Sequence, residues 1–107
     1  IACAASSGNW KLVSNNTGTA RTAIDLGANL SVNNTDLLEL ALWCGPNDSG
    51  IGYQATNLST GIATSGTVTT NLPANTNFLA PTLWVTNNAS TSPQTLDFVS
   101  TYVETDY

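Results

Sequence analysis

Histidine and methionine are absent from this 107-residue chain, and lysine plus arginine number 2 against 7 aspartates and glutamates. Without an imidazole, no Ser–His or Cys–His relay and no histidine-ligated metal site can be built. Two cations cannot neutralise a run of phosphates, which argues against nucleic-acid binding. They offer equally little to an anionic membrane surface. No apolar run approaches the roughly 18 to 20 residues that span a bilayer as a helix. Two cysteines without a C-x-x-C spacing are too few for a thiolate metal site. Charged residues are 8% of the chain, against about 25% in an ordinary soluble domain.

Small neutral polar residues take the place of the missing charge: Thr, Asn and Ser fill 40 of the 107 positions. That composition suits a β-rich protein of extracellular or virion type with a nearly uncharged surface. The length is one domain's worth, so a single domain over residues 1–107 is expected. The segment Ile1 to Ser6 (IACAAS) ends in small residues but has no charged or apolar stretch before it, so no targeting segment is read there. Cys3 and Cys44 are a candidate disulfide that would close a loop of about 40 residues and add roughly 3 to 4 kcal/mol in the chain-entropy model. The alternative is a pair of buried free thiols, because cysteine packs as a small apolar residue.

Period-two patterning dominates. Asn9 to Ser14 (NWKLVS) and Thr19 to Leu26 (TARTAIDL) flank the turn Asn15-Asn16-Thr17-Gly18. Leu37 to Cys44 (LLELALWC) puts Leu38, Leu40, Leu42 and Cys44 on one face and Leu37, Glu39, Ala41 and Trp43 on the other, ending at Gly45-Pro46-Asn47-Asp48. Its length and flanks predict a central strand buried on both faces, with a short helix as the alternative. Gly50 to Leu58 places Ile51, Tyr53 and Ala55 together, and Ser59-Thr60-Gly61 returns the chain into Ile62 to Thr70 as a hairpin. Gly66 within that strand marks a bulge or a close backbone approach. Thr82 to Asn87 and Thr95 to Glu104 (TLDFVSTYVE) read as the last two strands. The sum is an all-β chain of about seven or eight strands, an antiparallel β-sandwich or barrel. Its core is modest, which favours subunit contacts.

The chemistry is sparse. Glu39 and Asp97 lie in apolar strands, where they either face a cleft as a glycosidase pair or point outward, beside Lys11 or Arg21. Asn47-Asp48-Ser49-Gly50 lacks the alternating acidic pattern of a calcium loop. No Gly-x-Ser-x-Gly occurs, and neither cysteine has a cationic sequence neighbour to lower its pKa. An enzyme is not expected, nor is a cofactor. Exposed Trp and Tyr beside Asn and Asp on a β scaffold form a carbohydrate platform, the ring stacking on a sugar face while amides and carboxylates bond hydroxyls. On that basis Tyr53, Asn75, Asn77, Trp84, Asn87 and Asn88 are candidate ligand-binding residues. The alternative places Trp10, Trp43 and Trp84 in the core or an interface, and makes the Asn-rich loops turn formers. Asn-x-Ser/Thr, as at Asn15, Asn33, Asn47, Asn57 and Asn88, recurs by chance in a chain this rich in Asn, Ser and Thr and is no evidence for glycosylation.

Ile24 to Asn29 (IDLGAN), Ile51 to Pro73 (IGYQATNLSTGIATSGTVTTNLP) and Tyr102 to Tyr107 (YVETDY) resemble the C-terminal domains of tailed-bacteriophage tail-fibre and tail-appendage proteins. The resemblance implies a jelly-roll or lectin-like β-sandwich, the C-terminal part of a longer or processed virion protein. It implies a homotrimeric distal knob, non-enzymatic, that attaches to a bacterial surface glycan or receptor. A free-standing carbohydrate-binding module and a purely structural virion decoration or capping protein are the competing expectations.

Overall fold

The computed structural model describes residues 2–4, 8–16, 18, 20–74, 76–77, 80–83, 85–86, 91–93 and 95–104, with the backbone alone for residues 2–4. The chain divides into two compact units, Ile1–Asn77 and Phe78–Tyr107. All six strands lie in the first: β1 (Ala2–Ala4), β2 (Lys11–Asn15), β3 (Arg21–Asp25), β4 (Leu38–Trp43), β5 (Ile51–Asn57) and β6 (Ile62–Val68). They form two three-stranded antiparallel sheets in the orders β1-β2-β3 and β4-β5-β6. The protein is therefore all-β, and one 3-10 turn, Ala28–Leu30, is the only helical element among the described residues.

Branched and aromatic residues in alternation produce these strands, because side chains point to opposite faces of a pleated backbone. In β2 the alternation buries Leu12 and Ser14, and in β5 it buries Tyr53, Ala55 and Asn57. Leu12, Leu26, Leu30, Tyr53, Ala55 and Val68 form the core, with Trp10, Ile24, Leu38, Leu40 and Leu72 packed against it. Both sheets thus contribute to one apolar cluster. Polar side chains tie them at its margin. The Ser14 hydroxyl donates to the Thr70 carbonyl (3.0 Å), the Thr64 hydroxyl to the Leu26 carbonyl (3.1 Å), and the Asn71 amide to the Thr22 hydroxyl (2.9 Å).

The β5–β6 connection is the tight turn expected at Ser59-Thr60-Gly61. Gly61 takes φ +75°, a left-handed value that a side chain would resist, and its N–H closes the turn on the Asn57 carbonyl at 2.7 Å. Register is continuous through Gly66, which pairs with Tyr53. A Cβ at Gly66 would lie 2.9 Å from the Tyr53 hydroxyl oxygen, so the glycine marks a close approach and no bulge.

Four expectations need correction. The segment 37–44 does form a strand, but β4 is at a sheet edge and only half-buries its leucine face. A sheet packed against the core on one face leaves the other to solvent, in central β5 (Gln54) as in β4 (Glu39, Ala41, Trp43). The described residues of 82–87 and all of 95–104 carry no strand, which leaves six strands among the described residues in place of seven or eight. Strand pairing needs a neighbour's ladder, and alternation alone does not supply one. Tyr53 is 5% exposed and belongs to the core, because it shares the inward face of β5 with Ala55. Cys44 is an exposed free thiol, so its bridge to Cys3, whose side chain lies outside the described residues, is not formed.

The second unit holds no strand among its described residues. Leu83, Val85, Leu96, Phe98, Val99, Tyr102 and Val103 are all exposed there, with Tyr102 at 82%.

Candidate functional site

The β4–β5 connection builds the most chemically distinctive surface among the described residues. Gly45-Pro46-Asn47-Asp48 closes as a turn, with the Asp48 N–H on the Gly45 carbonyl at 3.1 Å. The Asp48 carboxylate caps it in return, accepting the Gly45 N–H at 2.8 Å. Asn47 supplies the left-handed backbone (φ 63°) that the turn requires, a conformation asparagine tolerates better than most residues. The turn fixes Asp48 beside the end of β4, where Trp43 stands.

Trp43 pairs directly with Gly52 of β5, and Gly52 pairs with Thr67 of β6. Directly opposed residues put their side chains on the same face of a sheet. Gly52 has none, so the indole packs closely against it. A Cβ at Gly52 would fall within the indole's own atoms. The indole is thus backed by the Gly52 backbone while Trp43 remains 54% exposed. Around it lies an open, shallow depression of about 280 Å³ lined by Trp43, Asp48, Ser49, Gly50, Gly52, Thr67 and Thr69. An exposed aromatic ring, a fixed carboxylate and residues bearing hydroxyls line it together.

The electrostatics are one-signed. Lys11 and Arg21 both lie in the first sheet, and residues 37–70 contain no Lys or Arg. Asp48 at the depression and Glu39 further along β4 are therefore not offset by any cation in their own sheet. Outside the depression, two carboxylates are held by hydrogen bonds, Asp25 at the end of β3 and Asp36 in the loop before β4. The Gly27 N–H (2.8 Å) and the Asn9 amide (2.9 Å) bond Asp25 and hold its pKa below the usual carboxylate value, with nearby Lys11 adding to the effect. The Asn33 (2.9 Å) and Asn57 (2.8 Å) amides do the same for Asp36. Among the described residues no three His, Cys, Asp or Glu side chains cluster as a metal site would require. Cys44 follows Trp43 directly, its Sγ 3.5 Å from the carbonyls of Gly45 and Gly50.

Most of the sequence-derived candidates are not brought together. Tyr53 is in the core. Asn77 is exposed in a turn, its N–H on the Ala74 carbonyl at 2.9 Å, which is the turn-forming role. Asn75, Trp84, Asn87 and Asn88 lie outside the described residues. Trp10 packs against the core as the alternative reading had it. Trp43, which that reading put in the core or an interface, is not in the core and stands exposed at the end of β4. A signal was present, since Trp43 shares its period-two face with Glu39 and Ala41, opposite the three leucines.

The chain matches no family model, no curated protein and no solved structure.

Proposed function

We propose that this chain is a non-enzymatic adhesion domain that binds glycans through the Trp43 depression. The observation that carries the reading is the indole packed against Gly52 yet 54% exposed, beside the Asp48 carboxylate and the Thr67 and Thr69 side chains. A sugar presents an apolar C–H face to such a ring while its hydroxyls bond carboxylate and hydroxyl groups at the rim. The neutral, Thr/Asn/Ser-rich surface suits the same partner. The two sheets around one core are consistent with a small β-sandwich of jelly-roll or lectin-like type. The segments that resemble phage tail-fibre proteins support a setting on a virion, attached to a bacterial surface. In that setting a homotrimer is the expected assembly, and native mass measurement tests it, a monomer at micromolar concentration counting against it.

Glycan-array binding with Trp43→Ala as the control tests the function. Removing a central tryptophan from a binding site costs about 2 kcal/mol or more. Trp43→Ala is therefore expected to weaken binding by roughly 30-fold or more, with circular dichroism unchanged because the residue is exposed. Undiminished binding by the variant would overturn the assignment to this depression. A second reading, a structural part of a larger assembly, is favoured by the exposed apolar side chains of the second unit, Phe98 to Val103 foremost. Self-association without binding to any glycan would support it.

A further inference from the structure

We propose that the whole outward face of the β4-β5-β6 sheet, from Trp43 to Glu39, receives a neutral oligosaccharide chain, with the Trp43 depression as its first subsite. The proposal rests on the glycan reading above and extends it from a single ring to a chain, and from any sugar to an uncharged one.

The register defines the face. Three cross-strand rows point away from the core: Trp43–Gly52–Thr67, Ala41–Gln54–Ser65 and Glu39–Thr56–Ala63. Ala41, Gln54, Ser65, Glu39, Ala63 and Thr67 are all exposed. Alternate residues on a strand are about 6.7 Å apart and neighbouring strands about 4.8 Å apart, so the rows make a platform of roughly 13 by 10 Å. That exceeds one pyranose ring. Beyond Trp43 the platform holds no large apolar side chain, which makes it a poor surface for a protein partner, whose anchors fill apolar pockets. It carries instead an amide, hydroxyls and a carboxylate at short, regular spacing. The Gln54 amide donates to the Thr56 hydroxyl at 3.3 Å, which holds it along the face between the two neighbouring rows. Hydroxyl-rich chains are recognised by groups of this kind.

Charge selects among such chains. Asp48 borders one end of the face and Glu39 lies at the other, with no Lys or Arg between residues 37 and 70. A uronate, sulfate or sialate approaching this sheet meets two carboxylates and no counter-charge, a repulsion that weakens as salt is added.

The test uses the full chain, labelled with ¹⁵N and titrated with cello-, malto- and manno-oligosaccharides from disaccharide to hexasaccharide, and with oligogalacturonate as the anionic probe. A disaccharide of the matching series is expected to move the Trp43 indole N–H alone. Longer members should move the Gln54 side-chain amide and the Ala63 N–H as well, and bind about tenfold more tightly, one decade in Kd. Gln54→Val keeps a strand-favouring residue at an exposed site. It should cancel most of that gain for the hexasaccharide and leave the disaccharide unaffected. Oligogalacturonate should fail to bind at low salt. Shifts confined to Trp43 at every chain length, with flat affinity, would overturn the extended face while leaving the glycan reading intact. Oligogalacturonate binding tighter than its neutral counterparts would overturn the charge selection. Silence at both Trp43 and Gln54 across all series would overturn the glycan reading and this extension together.

Discussion

Asn57 is the side chain whose removal should cost this fold most, and the structure says why. It is 2% exposed, at the end of β5, and its amide works in two directions. The Nδ2 group donates to the Asn29 carbonyl (3.0 Å) and to the Asp36 carboxylate (2.8 Å). The Oδ1 atom accepts the N–H groups of Ser59 (3.0 Å) and Thr60 (3.2 Å), inside the turn to β6. One residue therefore joins the 3-10 turn, the loop before β4 and the β5–β6 hairpin. Asn57→Ala leaves a carbonyl and two N–H groups short of their partners. At about 1 kcal/mol for each neutral bond, with Thr60 shared by the Asn57 backbone carbonyl, the loss is about 2 to 3 kcal/mol. That is a large fraction of the 5 to 15 kcal/mol typical of a domain. Urea unfolding followed by tryptophan fluorescence measures it, read from the midpoint at constant slope. Asn57→Asp adds a directional check, because it keeps the turn acceptor but sets a second carboxylate against Asp36. One of the pair must then take up a proton above the usual carboxylate range. This variant should gain stability relative to the parent as pH falls from about 7 to 5. An Asn57→Ala protein within about 0.5 kcal/mol of the parent would refute the reasoning, since that is the spread of ordinary surface substitutions.

Further outcomes follow from the same geometry. Gly66→Ala puts a methyl 2.9 Å from the hydroxyl oxygen of a buried tyrosine, and is expected to cost about 1 to 3 kcal/mol by overpacking; an unchanged melting temperature would contradict the close approach. Gly52→Ala must displace the exposed Trp43 indole from its seat, so stability should change little while tryptophan emission shifts and glycan binding falls. Unchanged emission and binding would sink the platform argument. Asp25 and Asp36 have pKa values below those of the unfolded chain, so their contribution is complete above about pH 4 and is lost as pH falls through the folded-state values. The urea midpoint is expected to hold between about pH 7 and 5 and drop below about 4, with a shallower acid limb in Asp25→Asn. An acid limb identical in that variant would show that the loop bonds to Asp25 contribute nothing.

The all-β class and the positions of β2 to β6 were legible from alternation and turn residues, since strands of five to seven residues bounded by Gly, Asn and Pro obey local rules. Gly66 was readable as a bulge or a close approach, and only its pairing with Tyr53 decided between them. Thr95 to Glu104 shows where local rules fail. Its alternation matches that of β5, yet its residues stand exposed without a ladder partner, because pairing is a property of two segments and one segment's pattern cannot specify it. Trp43 shows the same limit at the site. The sequence placed it on a face with Leu37, Glu39 and Ala41, but whether that face met a second layer or solvent depended on what packs against the sheet. Tertiary structure decided this by covering one face of the sheet, with Leu38 and Leu40 toward the core, and leaving Trp43 exposed over Gly52 on the other. What composition settled by itself is how little positive charge any face can carry, since Lys11 and Arg21 are the only basic side chains. That both fall in the first sheet, leaving Glu39 and Asp48 without a cation in theirs, was decided by the strand pairing. Which aromatic ring is left open is a matter of burial, and burial is a property of the packed molecule.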